Sequence, residues 1–294
     1  MPAPSRLLAS AAIGALILIW GTTWAGIRIG LEGIPPWTGV ALRFAIASLV
    51  LLTVARALRL PVLGDRRARI LGLVNGLFSF CISYGVVYWA EQWIPSGLAA
   101  VLFSTFPFFV AALAHFWLPG ERFTLWAGIG TILGFAGVAV IFSEDLLTLA
   151  GPKVLTATLV FLISPFVSAV AHVAIKRWGQ GVHPFALTAL PMALTAGVMG
   201  MMAAVFERGR PVVFDGTSVG ALLYLSVMGS AVTFTLYFWL LSHLPATRLS
   251  LITYGVPVVA VVVGALALDE PYTPRMLLGS MLVIIGVAAA ARRR

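Results

Sequence analysis

The chain has 294 residues, of which 61% are hydrophobic and only 10% charged, and its mean hydropathy is +1.03. A soluble domain carries roughly 25% charged residues, so this composition excludes a water-facing surface and makes lipid the solvent. The net charge of +9 would suggest a nucleic-acid partner in a soluble protein, but here the basic residues collect beside apolar segments, as membrane topology requires, and no nucleic acid is expected.

A spanning helix needs about 20 mainly apolar residues. Windows of that kind fall at Leu7–Ile29, Pro36–Ala57, Ile70–Ala90, Gly97–Leu118 and Phe123–Phe142, then at Val154–Ile175, Phe185–Phe206, Ser218–Leu241, Leu249–Leu268 and Pro274–Ala291. They predict an all-α integral membrane protein with five helices in each half, residues 1–146 and 152–294 forming two repeats of one membrane domain. Arg6 and the apolar run from Leu7 to Ile19 resemble a signal peptide, but the run continues to Ile29, so the first helix is read as retained. Cys81 is alone, which leaves no intramolecular disulfide and no cysteine metal site.

In the first helix Trp20, Thr23 and Trp24 share a face, and two indoles near mid-span suit either an amphipathic pocket or helix packing. Arg43 in the second helix is the one unambiguous charge within a predicted span. At about 1.5 Å rise per residue it lies about 10 Å from the outer end, within reach of snorkelling. Its expected role is structural, paired with an outer-side carboxylate such as Glu32, against the competing reading that it attracts a substrate carboxylate.

The third helix carries Phe80, Tyr84 and Tyr88 at spacings of four, a stripe that suits a cavity wall. Tyr84 is the deeper hydroxyl and needs a partner, whereas Trp89 belongs to an aromatic belt at the membrane surface. Glu91 and His115 stand near helix ends and receive no role. In the fourth helix Ser104 and Thr105 precede Pro107, and in the ninth Thr253 and Tyr254 precede Pro257. Each proline lacks an N–H and clashes with the preceding turn, so both helices are expected to kink there and form flexible walls of a site.

The sixth helix places Ser164, Ser168 and His172 four apart, facing the bundle interior because a polar stripe in lipid is costly. Close helix packing is the competing reading for the two serines, and an interfacial position near Lys176 for His172, one of the few groups able to titrate near neutral pH. The eighth helix adds Ser230 and Tyr237. No zinc-protease, nucleophile-elbow or phosphate-loop motif is present, and no pair of carboxylates lies within a span. Catalysis, metal and cofactor are therefore not expected, and a proton relay through buried Asp or Glu is disfavoured.

With the N-terminus in the cytoplasm, 13 Lys and Arg fall on the inner side and 5 on the outer, a positive-inside bias that places both termini in the cytoplasm. Five helices per repeat then invert the second half relative to the first, and inverted repeats place a site near the midplane between them. The duplication is written in the sequence: Trp89, Pro95, Pro107, Glu121, Gly130 and Gly137 recur as Trp239, Pro245, Pro257, Glu270, Gly279 and Gly286.

The IWGTTWAGIRIGL run of the first helix, Arg43 and Phe44, the repeated W-x5-P-x11-P, and PGERFT with its counterpart DEPYTP together resemble the EamA-type transporters of the drug/metabolite transporter superfamily. The resemblance spans the whole chain and extends to YddG-like exporters of amino acids. It implies a ten-helix basket in the cytoplasmic membrane around a cavity formed by helices one, three, four, six, eight and nine, with the glycine-bearing helices five and ten as scaffold. The implied activity is alternating-access export of small metabolites; nucleosides, sugars and cationic drugs are the other substrate classes, and a lipid-modifying membrane enzyme the alternative from another class. The partners expected are a small-molecule substrate and the bilayer, with the oligomeric state open and a monomer sufficient.

The orientation has a direct check. A C-terminal fusion to a fluorescent protein should fluoresce and a C-terminal alkaline phosphatase fusion should be inactive; active phosphatase with a dark fluorescent fusion would reverse the assignment.

Overall fold

The computed structural model describes residues 5–94, 96–121, 125–141, 143, 152–267 and 274–291, and among these all regular structure is helical. In chain order the elements are α1 (Arg6–Gly33), α2 (Pro36–Ala57), α3 (Arg66–Ala90), α4 (Ser96–Phe103), α5 (Phe106–Trp117), α6 (Leu125–Ile141) and α7 (Pro152–Phe161). They continue with α8 (Ile163–Trp178), α9 (Pro184–Phe206), α10 (Gly216–His243), α11 (Ala246–Ser250), α12 (Ile252–Ala267) and α13 (Pro274–Ala291). Prolines at the first helical turn start α2 and α9, where the missing N–H has no partner to lose. Side-chain oxygens of Ser5, Asp65 and Asp215 cap α1, α3 and α10.

Among the described residues, six helical stretches are long and apolar enough to cross a membrane: α1, α2, α3, α9, α10 and the pair α7–α8 taken as Lys153–Trp178. They match six of the ten predicted windows. The other four windows contain shorter apolar helices, among them Phe106–Trp117 and Ala246–Ala260.

Burial is ordered as lipid demands. Leu18, Leu49, Leu159, Met201 and Ile284 face outward, while Arg43, Ser48, Asn75, Ser79, Ser83, Ser164, Thr188, Thr195 and Ser230 are buried. Without water in the bilayer, those groups must find partners inside the protein. Several do so between the two halves of the chain: Ser48 Oγ donates to the Ala189 carbonyl at 2.7 Å and Asn75 Nδ2 to the Leu187 carbonyl at 2.7 Å.

Two of the long helices are not regular. Residues Asn75–Ile82 of α3 and Val227–Val232 of α10 are π-helical, a geometry the sequence analysis does not anticipate. Each π segment offers a backbone carbonyl to a helix of the other half. Thr195 Oγ1 of α9 donates to Gly76 at 3.2 Å, and Arg43 Nη2 of α2 donates to Gly229 at 3.0 Å.

The expected kinks at Pro107 and Pro257 take two different forms. The fourth predicted helix breaks at Ser104–Thr105, and Pro107 sits in the first turn of the new helix α5, where proline costs nothing. Pro257 lies within α12, and the break comes earlier, at Leu251 between α11 and α12. The matched prolines thus do not mark matched breaks.

Helices α6 and α13 pack against each other, and α2 against α9. The first pair depends on glycine. A Cβ at Gly137 would fall 2.5 Å from the Gly279 carbonyl oxygen and 2.7 Å from the Val283 nitrogen; a Cβ at Gly286 would fall 2.7 Å from both the Gly130 oxygen and the Gly134 nitrogen. Gly137 and Gly286 are repeat-equivalent, so the crossing is reciprocal. Since the obstructing atoms are backbone, they cannot turn aside, and Gly286→Leu should destabilise the purified protein by at least the roughly 1–3 kcal/mol of an overpacked core. A fluorescence-monitored melt would show a lowered midpoint; an unchanged midpoint would mean that the crossing is not a stabilising contact.

Candidate functional site

The middles of α1, α3, α8 and α10, with α4, α5, α11 and α12, surround a cavity of about 80 Å³. That volume holds a few water molecules and is well below the roughly 300–1,000 Å³ of sites for drug-sized ligands. Its wall is aromatic, from Trp20, Trp24, Tyr84, Phe103, Phe106, Phe234 and Tyr237, with hydroxyls of Thr23, Ser79, Ser83, Ser168 and Thr253, and His172. No Asp, Glu, Lys or Arg is among the lining residues.

The rings brace each other. Trp20 lies 5.6 Å from Phe234 and 5.5 Å from Tyr237, and His172 lies 4.8 Å from Tyr237 and 5.4 Å from Phe106, all centroid to centroid. These are the separations at which tilted and edge-to-face aromatic pairs attract. His172 is therefore a cavity residue rather than an interfacial one, and no carboxylate orients it.

Some polar groups of the wall are used within the protein. Ser83 Oγ lies 2.7 Å from Ser164 Oγ and accepts from Ser168 Oγ at 3.0 Å, so three hydroxyls tie α3 to α8. Thr23 Oγ1 donates to the Trp20 carbonyl and Thr253 Oγ1 to the Ser250 carbonyl. Others meet no protein partner: Trp20 Nε1, Ser79 Oγ, and both His172 ring nitrogens are buried without a hydrogen bond. Leaving a buried donor or acceptor unpaired costs about 1–3 kcal/mol each, and these four atoms on three wall residues can be satisfied by polar atoms that enter the cavity.

Of the residues singled out from sequence, Trp20, Thr23, Trp24, Tyr84, Ser168, His172, Tyr237 and Thr253 line this cavity. Others lie behind the wall. Phe80 packs on Phe44 at 5.2 Å and Phe234 at 4.8 Å. Ser104 and Thr105 donate to the carbonyls of their own helix, at Ala100 and Leu102. Ser164 is held by Ser83, and Tyr254 is buried against Gly134 of α6. Pro107 and Pro257 are buried but do not line the cavity.

Tyr88 and Ser230 serve Arg43. The guanidinium is fully buried and donates from Nε to Ser230 Oγ at 2.8 Å, from Nη1 to Tyr88 Oη at 3.3 Å and from Nη2 to the Gly229 carbonyl. It lies 4.8 Å from the Tyr84 ring centroid, a cation–π contact through the cavity wall. The expected pairing with Glu32 does not occur: Glu32 is exposed, and Arg43 points inward to neutral acceptors.

Ser79 and Ser83 were not anticipated. Their spacing of four on the helix that also carries Tyr84 was the available signal. Glu91, set aside as a helix-end residue, is 0% exposed, and both of its carboxyl oxygens lack a partner.

The profile of the EamA-like transporter family matches residues 8–143 and again residues 155–292. The uncharacterized transporter YoaV of Bacillus subtilis is 26% identical to this chain, with 93% of each covered. Protein PagO of Salmonella typhimurium is 28% identical over 91% of this chain and 86% of its own length. The uncharacterized inner membrane transporter YedA of Escherichia coli is 29% identical over 86% of this chain and 80% of its own. A crystal structure sharing 22% of its residues superposes with a TM-score of 0.82 over 98% of this chain and 97% of the other, a likeness of fold alone.

The serine cluster can be checked by substitution. Ser83→Ala removes the shared partner of Ser164 and Ser168 and should cost about 1–2 kcal/mol of stability, by the usual worth of buried hydrogen bonds. A thermal melt identical to wild type would show that the three hydroxyls do not hold α3 to α8.

Proposed function

Because the chain belongs to the EamA-like transporter family, we propose that this multi-pass membrane protein exports small amphipathic metabolites, aromatic and apolar amino acids first among them, in the manner of YddG-like carriers. In this reading ten helices form two inverted repeats, 1–146 and 152–294, in the cytoplasmic membrane with both termini inside, and cargo crosses by alternating access. The site is assigned to the cavity wall, with Pro107 and Pro257 adjoining the broken helices that move.

The observation that carries this reading is the pairing of an aromatic wall with unpartnered polar atoms at Trp20, Ser79 and His172. Rings bury an apolar side chain. An indole N–H donates to a carboxylate, while hydroxyls and a neutral imidazole nitrogen accept from an ammonium. Without a fixed counter-charge in the wall, neither end of a zwitterion is gripped strongly, which suits a carrier that must release what it binds. At about 80 Å³ the cavity is well below the roughly 300–1,000 Å³ of sites for drug-sized ligands, so in this reading it widens as cargo loads. Alternation between two packings of the halves supplies that motion.

The uncharged lining also favours a second reading, a neutral nucleoside whose base stacks between rings. It disfavours a cationic drug, since no carboxylate lines the wall.

Counterflow in proteoliposomes separates these readings. Vesicles loaded with unlabelled phenylalanine should accumulate labelled phenylalanine, tryptophan and leucine. Trp20→Ala, losing an indole face and its N–H, should reduce this about tenfold, equivalent to about 1.4 kcal/mol. Uridine counterflow without any amino-acid counterflow would move the assignment to nucleosides, and no counterflow of either would overturn both.

A further inference from the structure

Glu91 closes helix α3 at its C-terminal end, and its carboxyl group is sealed from solvent with neither oxygen bonded to any group of the protein. Structurally this is an expensive arrangement. A buried carboxylate requires donors or a close cation, and the end of a helix offers the opposite, carbonyl oxygens and the negative end of the macrodipole. The neutral acid removes the charge and supplies an O–H donor in its place.

The surroundings are nevertheless positive. Arg28 of α1 reaches Glu91 but gives its Nη1 to the backbone carbonyl of Glu91 at 2.8 Å rather than to the carboxyl group. Arg43 of α2, which bonds Tyr88 one turn before Glu91, has its three nitrogens committed to Ser230, Tyr88 and Gly229. Tyr88 is the titratable group of the same helix nearest to it. On α7, which packs against this end of α3, Lys153 sits over the Trp93 ring at 4.6 Å. On helix α8, His172 lies in the cavity, while Lys176, which donates to the Leu241 and Leu244 carbonyls, and Arg177 occupy the last turn; among the described residues of α4 there is no titratable group. Among the described residues no second carboxylate competes for a proton at this place.

Position connects the group to the cavity. Ser79, Ser83 and Val87 line it at successive spacings of four on α3, and Glu91 is the next position in that series. On α1, Ile27 lines the cavity and Arg28 follows it, its side chain exposed. A shift of α1 against α3 by a fraction of a turn would bring the Arg28 guanidinium from the Glu91 carbonyl to its carboxyl group. Such a move converts a site that favours the bound proton into one that favours its release, and it moves the cavity wall at the same time.

We propose that Glu91 is a proton-binding site whose occupancy is coupled to the cavity, so that a proton is the co-substrate of the transport cycle. The proton adds to a carboxylate oxygen and leaves from it, with no other bond changed. This rests on the transport reading above, and the tests are chosen to fail separately.

The first test needs no cargo. An infrared pH titration of the purified wild-type protein should contain a protonated-carboxyl band that Glu91→Gln lacks and Glu91→Asp shifts. A band that survives in Glu91→Gln, or no such band in wild type, would overturn the proposal. The second uses phenylalanine in proteoliposomes. Wild type should respond to an imposed pH gradient, and Glu91→Gln should lose that response while keeping phenylalanine counterflow; an unaltered response to the gradient in Glu91→Gln would overturn the coupling. If phenylalanine does not move at all in wild type while the infrared band behaves as expected, the cargo assignment fails and the proton site stands. Should Glu91→Gln fail to fold, Glu91→Asp carries both tests: an unshifted band and an unshifted pH dependence would reject the site.

Discussion

Arg43 is the constraint around which the centre of the molecule is arranged. A guanidinium with no exposure needs acceptors, and in lipid they can come only from protein. They are neutral here: a serine, a tyrosine and a peptide carbonyl. These partners come from α10 and α3, so one side chain of α2 fixes three helices. Beyond the Tyr84 ring, 4.8 Å from that ring's centroid, is the cavity. The positive charge is thereby kept behind an aromatic wall instead of being offered to what enters. A polar tyrosine hydroxyl and a π face suffice to hold it, and no carboxylate has to be brought into the bundle for the purpose.

The second recurring device is a carboxylate of one half bound to a helix start of the other. Glu207, at the end of α9, accepts from the Trp37 and Thr38 amides and the Thr38 hydroxyl at 2.9, 2.8 and 2.6 Å. Glu121, following α5, accepts from the Ala246 and Thr247 amides and the Thr247 hydroxyl at 2.9, 3.0 and 3.0 Å. Both carboxylates thus meet the unpaired N–H groups and positive end of another helix. The exchange of close contacts at Gly137 and Gly286 and the two matches of one family profile are what a duplicated chain produces when its copies pack on one another; Glu121 and Glu207 are not repeat equivalents, since Glu121 recurs as Glu270, but each ties one half of the chain to the other.

Much of this was legible in the residues because lipid makes strong demands. Long apolar runs declare helices, and Trp20, Trp24, Tyr84, Ser168, His172 and Tyr237 stand out as polar or aromatic side chains that a lipid-facing helix would not carry. Phase was harder to read. Spacing arguments assume 3.6 residues per turn, but α3 and α10 contain π segments, which use i to i+5 bonds and rotate everything beyond them. Phe80 accordingly turns into the core while Ser79 and Ser83 reach the cavity. The partners of Arg43 were hidden for a different reason. A backbone carbonyl is present at every residue, and nothing in the sequence distinguishes the one at Gly229 as the acceptor. The burial of Glu91 is hidden from the sequence because nearness to a helix end does not set exposure; the neighbouring elements do. Pro95 and Glu270 of the repeated motif lie outside the described residues.

The carboxylate ties and the cavity meet at Glu121. The helix turn it holds, α11, begins at Ala246 and carries Leu249, while Ile252, Thr253 and Val256 follow on α12; all four line the cavity. Three charge-assisted hydrogen bonds at one end therefore set where that wall stands. Bonds of this kind are each worth about 1.5–3 kcal/mol, comparable to the few kcal/mol that separate two conformations of a switching protein. At the other end of the same bundle, Glu207 fixes the start of α2, the helix that carries Arg43 and, through it, Tyr84. The wall is held from two sides by carboxylates at helix starts. Because each clamp is a discrete hydrogen-bonded set rather than a graded packing contact, the position of the wall is set at both ends by directional bonds and not by packing alone.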